Sequence, residues 1–254
     1  MTVLIEASAP GRWQDLEARV AQILSECGYD VEVQKNVPLA RGDVNIDVWA
    51  DDHSSPQNII AVECKDWARP ATKNVVHAFQ RVVGDSGANT GLIVSSAGFQ
   101  KGAVEAAAYS NVRLLDWTQF QTMFAVRWFR QYMAPTIAEQ TDALHDYTES
   151  INSRIFRKAD ALPPDRQERF KVLRERYSTL AAGNLMFHPA ALDWLWSANT
   201  PLPNLPLRNI YRGESDLVPD DVLDATALRP LMDALIEHSR RAITEFDEVF
   251  GERA

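Results

Sequence analysis

Cysteine is nearly absent from this chain: only Cys27 and Cys64 occur in 254 residues. Two cysteines build no disulfide framework, and their separation is not that of a zinc site. No uninterrupted apolar run approaches the ~20 residues of a membrane-spanning helix. The start, MTVLIEASAPGRW, lacks a basic segment followed by a long apolar one, so no secretory leader is expected. Internal repeats and low-complexity tracts are missing as well. A basic excess is also lacking, since 26 Lys and Arg face 35 Asp and Glu for a net charge of −9. That balance argues against a general coat for nucleic acid. What remains is an ordinary globular composition, 46% hydrophobic and 24% charged, in a chain long enough for one large domain or two modest ones. The expected home is a reducing cytoplasm, with no membrane partner.

The hydrophobic pattern changes character along the chain. Leu16, Val20, Ile23 and Leu24 fall on one helix face, and Gly28 supplies a C-terminal stop. YDVEVQKNV and VNIDVWA alternate in period two and predict strands joined by a turn at Arg41-Gly42-Asp43. DDHSSPQN reads as a loop, and IIAVEC as a third strand, more central because its apolar run is continuous. TKNVVHAFQRVVGDSGA predicts a helix with Val75, Val76, Phe79, Val82 and Val83 on one side. A strand at TGLIVSS, a helix at FQKGAVEAAAYS and a strand at VRLLD follow. The expected class is therefore α/β: a mixed β-sheet flanked by helices, with hairpin strands leading into strand–helix–strand crossovers.

After Trp117 the strand signals stop. Segments 117–133, 137–156, 165–183 and 226–250 read as helices, with Pro230 tolerated near the first turn of the last one, and 198–222 as an irregular connection. The expected domains are 1–118 and an all-helical region, 119–254. Residues 154–176 carry eight Lys or Arg against four acids. That cluster reads either as a surface for a phosphate backbone or as a solvated pair of helices with mixed ion pairs.

One stretch raises a chemical question. In IIAVECKDWARP, residues 59–70, an apolar strand runs straight into Glu63 and Lys65. Two positions apart, they share a face, while Cys64 points the other way as a small core residue. Burying such charges without partners is costly. One strand earlier stands Asp47, which approaches Glu63 if the two strands pair through their hairpin. Two carboxylates and a lysine make a hard, oxygen-rich site suited to Mg²⁺ or Mn²⁺. Such an ion polarises a phosphodiester and acidifies a bound water, which a lysine can orient. The competing reading is a strand-end ion pair, because Glu-x-Lys arises by chance about once in a chain of this length. Spacing alone leaves both open.

Further candidates carry weaker signals. Asp43 competes with Asp47 as a ligand but sits at a turn, where aspartate is expected structurally. Lys101, at a helix start, suits a phosphate or plain solvent. Gln80 can reach the site from the following helix. His77 has no visible histidine or cysteine partners and reads as structural or solvent-facing. The tryptophans at 13, 49, 67, 117, 128, 194 and 196 read as packing before base stacking.

An ordered series of motifs, from about residue 12 to 118, resembles the Mrr-like restriction endonuclease family of the PD-(D/E)xK nuclease superfamily. LEARVAQILSECGYDVEV is similar to its opening helix and strand, RGDVNIDVWA to its GDGGID segment, AVECKDW to its Q/E-C-K strand, and TGLIVSSAGFQKGAVEAA to a later strand and helix. The resemblance implies a restriction-endonuclease-like fold and metal-dependent cleavage of DNA. It implies Asp47 as metal-binding aspartate, Glu63 as second acidic ligand, Lys65 as catalytic lysine, and Glu17 as the acid of the opening helix that faces the metal, the other reading of Glu17 being a plain surface glutamate on an amphipathic helix. Ile46 stands where the family has proline, and Val44 and Asn45 replace two glycines, which alters the local turn without removing a reactive group. Glu63 in place of glutamine adds a charge for the ion. The implied function is a Mg²⁺-dependent DNA endonuclease in microbial defence, working as a dimer or higher homo-oligomer. The alternatives are a nuclease fold kept for DNA binding or scaffolding without turnover, or cleavage of branched DNA or RNA. The helical region is left for recognition, oligomerisation or regulation.

Overall fold

The computed structural model describes residues 3–11, 13–39, 42–53, 56–65, 69–195, 201–213 and 217–251, and the side chains at 13, 14, 193 and 194 lie outside that description. The chain divides into two compact units, one of Ser8–Trp128 and one of Met1–Ala7 with Phe129–Ala254.

The first unit is built on five strands. Helix α1 (Trp13–Glu26) ends where Gly28 takes a φ of 82°, a left-handed turn that glycine adopts without strain. Strands β1 (Asp30–Leu39), β2 (Gly42–Asp52) and β3 (Asn58–Lys65) follow, then α2 (Lys73–Ser86), β4 (Thr90–Ser95), α3 (Lys101–Ala107) and β5 (Val112–Leu115). The sheet order is β1-β2-β3-β4-β5. The first three strands pair antiparallel, and β3, β4 and β5 run parallel. The α2 and α3 crossovers permit that parallel half, because two-residue hairpins cannot join parallel strands. This is the mixed, helix-flanked α/β sheet the sequence predicts. The hairpin is longer than expected: Asp43 lies within β2, paired with Pro38, and the strand continues through Asp52. Arg41 of the expected turn lies outside the described residues.

One core cluster joins Val76, Phe79 and Val83 of α2 to Ile46, Ala61, Ile93 and Val112 of the sheet. The fit is tight at Gly91, where a Cβ would stand 2.6 Å from Val83 Cγ2 and 2.9 Å from Phe79 Cε1. Helix α4 (Trp117–Trp128) adds a run of rings, with Phe120 and Phe124 5.0 Å apart and Phe124 edge-on to Tyr29. Arg127 fixes its end, donating to the Cys27 carbonyl at 2.7 Å and to Asp52 at 2.7 Å. Trp49, Trp117 and Trp128 are buried and serve packing, as expected. Trp67 and Trp196, and the side chains of Trp13 and Trp194, lie outside the described residues.

The second unit is helical. A π-helical turn (Phe129–Met133) leads to α5 (Ala134–Thr148), α6 (Ser153–Asp160), α7 (Pro164–Leu185), α8 (Pro189–Leu195), a 3-10 turn (Leu207–Asn209), α9 (Asp220–Asp224) and α10 (Leu228–Phe250). Tyr147 of α5 stacks on Phe246 of α10 at 4.8 Å, and Phe170 of α7 meets the same ring at 5.8 Å. The segment expected as one helix over 137–156 is two: Asn152 accepts from the Ile155 N–H and caps α6, while Ile151 is left 81% exposed. The irregular connection contains α9 and the short 3-10 turn.

The basic cluster is consumed largely within this unit. Arg154 pairs with Asp146, Arg169 with Glu248, and Arg176 with Glu245. Arg174 donates to the Thr148 carbonyl and lies over the Phe156 ring. Mixed ion pairs, rather than an open cationic face, describe it.

Candidate functional site

The site arises where two strands part. The paired register of β2 and β3 runs from Asp52↔Asn58 to Val48↔Val62 and stops there, whereas β3 stays paired to β4 through Lys65↔Ser95. Asp47 and Glu63 are the next residues on either side of that divergence. In place of a further ladder bond, the Asp47 side chain takes over: its Oδ2 accepts the Cys64 N–H at 2.7 Å. A carboxylate thus fills the notch and is anchored by backbone.

Period two carries Glu63 and Lys65 onto the side of β3 where Ala61 joins the core cluster. Both are largely withdrawn from solvent, at 22% and 18% side-chain exposure, and they form an ion pair. Burial pushes the Glu63 carboxyl above its ordinary value; the hydrogen bond from Lys65 opposes this, and the nearby Asp47 charge adds to it. Cys64, facing the other way, is buried, and its thiol is pushed well up by burial and by the surrounding carboxylates. It is a core residue, not a nucleophile.

Glu17 comes from α1 and is buried, at 7% exposure. Burial raises its carboxyl, a hydrogen bond from Gln34 lowers it, and Asp47 raises it again. Gln34 is the residue that sequence reasoning missed. Its Nε2 donates to Glu17 Oε2 at 2.9 Å and to Asp47 Oδ1 at 3.2 Å. The structure therefore links Glu17 to Asp47 through Gln34, sets Asp47 beside Glu63, and pairs Glu63 with Lys65.

The weaker candidates go elsewhere. Gln80 donates to the Ala106 carbonyl at 2.8 Å, and its Oε1 accepts from His77 Nδ1 at 3.2 Å, so it ties α2 to α3 instead of reaching the site. Its amide is drawn off because Ala106 offers an acceptor close by. Asp43 is exposed on β2, and Lys101 is 92% exposed with Glu105 as its nearest acid.

The donor chemistry fits a hard divalent cation. Glu17, Asp47 and Glu63 offer only oxygen, and burial, with the Asp47 charge adding to it, makes Glu17 and Glu63 hard to ionise. As they stand, and among the described residues, no three His, Cys, Asp or Glu side chains are gathered closely enough to hold a metal. Chelation requires these side chains to close in.

Comparison with known proteins bears on the same segment. Residues 11–124 match the Mrr-type family model described as "Restriction endonuclease". No curated protein matches the chain. Among solved structures, a protein of unknown function is 13% identical and covers 93% of this chain and 97% of its own, with a TM-score of 0.36. A repair endonuclease from Pyrococcus abyssi is 19% identical over 45% of this chain and 49% of its own, at 0.32. The MspJI restriction endonuclease, in complex with a 27-mer oligonucleotide, is 18% identical over 48% of this chain and 29% of its own, at 0.31. At such TM-scores none of the three carries the fold assignment, which rests on strand order, register and the family match.

Proposed function

We propose, from the premise that residues 11–124 form a domain of the Mrr-like restriction endonuclease family with its restriction-endonuclease-like fold, that the chain hydrolyses phosphodiester bonds in DNA with a divalent cation held by Asp47 and Glu63. One observation carries the reading: within the matched segment, Asp47, Glu63 and Lys65 meet at the point where β2 and β3 part. A strand-end ion pair alone leaves the anchored Asp47 and the hard-to-ionise Glu63 without a purpose.

A bound Mg²⁺ or Mn²⁺ supplies polarisation of a phosphoryl oxygen and a water of lowered pKa. Asp47, fixed by the Cys64 N–H, and Glu63 hold it, with Glu17 completing the acidic wall. Lys65 orients the attacking water or offsets the charge that builds on the phosphate. Burial, with the Asp47 charge adding to it, keeps Glu63 from ionising freely, and a bound cation would offset both. A role in restriction of foreign DNA, a homo-oligomeric state, and recognition or regulation by residues 119–254 belong to the same proposal.

The test is cleavage of methylated and unmethylated plasmid with Mg²⁺ or Mn²⁺ by the wild type, Asp47→Ala and Lys65→Ala. The wild type is expected to cut, and each variant to lose about 100-fold or more in rate. Equal cutting by all three would remove the site assignment, and no cutting under any condition would favour a fold kept for binding.

A further inference from the structure

Gln34 belongs to no residue class that points to hydrolytic chemistry, yet it touches two of the three carboxylates. Because ionised carboxylates only accept, its amide must present nitrogen to both. Its backbone holds a φ of 53° within a strand, a left-handed conformation that persists in a non-glycine residue only when its surroundings fix it. The register of β1 on β2 runs Val33↔Val48, then Lys35↔Ile46, passing over Gln34 with no slip. Gln34 thus faces Asp47 across the hairpin, outside the ladder.

A neutral amide between two carboxylates does weakly what a cation does strongly. It also does so at longer range, since its contacts of 2.9 and 3.2 Å exceed the about 2.1 Å of a Mg²⁺–oxygen bond. We propose that Gln34 is a positioning residue that stands in for a cation between Glu17 and Asp47, holding the two carboxylates in the metal-free site until a divalent cation bound at Asp47 displaces its amide. This rests on the reading of Asp47 and its neighbours as a metal site. The amide is the donor able to leave, because Gln34 is exposed and its side chain turns about three bonds. The other donor to Asp47, the Cys64 N–H, is built into β3 and stays.

The test is calorimetric titration of the full chain with Mn²⁺, beside thermal melts in chelator and in saturating Mn²⁺, for wild type, Gln34→Ala and Gln34→Gly. The glycine variant lacks the amide but accepts the positive φ, so it serves where the alanine variant fails to fold. Both variants are expected to bind Mn²⁺ about three- to tenfold more tightly, as loss of a charge-assisted hydrogen bond predicts. Gln34→Ala should melt below wild type in chelator, and the gap should narrow with Mn²⁺. Unchanged or weaker binding in the variants, or an equal gap in both conditions, overturns the placeholder and leaves the metal site standing. Absence of Mn²⁺ binding in the wild type and both variants overturns the metal site and the placeholder together.

Discussion

A single substitution isolates the electrostatic tension in the site. Glu17 is buried, with a carboxyl raised above its ordinary value by burial and by Asp47. A raised folded-state pKa means that its contribution to stability is present at low pH and is lost as pH rises through that value. Glu17→Gln keeps an acceptor for Gln34 and removes the charge. In chelator, the variant should therefore melt above wild type at neutral pH, by about 2–4 °C per kcal/mol recovered. The advantage should vanish near pH 3, where both side chains are neutral. A constant difference across that range would mean that Glu17 ionises freely. Asp47, Glu63 and Lys65 were legible in the sequence because charged residues on a buried strand stand out against its apolar period. Gln34 was not, since a glutamine in a strand is unremarkable until its φ and its register are known.

Strands and helices read well wherever packing enforces a period. The alternation in VNIDVWA and the 3.6-residue spacing of Val76, Phe79 and Val83 both arise from one face meeting a core. The same logic misled at residues 149–152. Tyr147, Ile151 and Ile155 keep helical spacing, but Ile151 points to solvent, and the Asn152 cap restarts the chain as α6. Capping, a local hydrogen bond, outweighed the apolar pattern. At Gly91 the packing of α2 on β4 leaves no room for a side chain. Gly91→Ala should cost about 1–3 kcal/mol by overpacking, read as a lowered urea midpoint. An unchanged midpoint would mean that α2 moves away at no cost.

At the scale of the whole chain, a net charge of −9 sets how it meets a polyanion. The cationic run at 154–176, open to two readings in the sequence, is occupied by Asp146, Glu245 and Glu248. With that run engaged in ion pairs and the net charge negative, binding to random duplex should be weak, with a Kd of about a micromolar or higher near physiological salt that rises further with salt. Fluorescence anisotropy against ionic strength measures this. Nanomolar binding in high salt would point to a cationic surface that the ion pairs do not consume.

Gln34 also sits midway along β1, the outermost strand on its side of the sheet. An outer strand offers its row of N–H and C=O groups to any passing chain and can template unwanted pairing. With its φ of 53°, Gln34 turns the adjoining peptide groups out of the alternation that a straight partner strand requires. Glu32 and Lys35 set charges on either side of that kink. The residue that bridges two carboxylates thereby shortens the length of edge another molecule can copy.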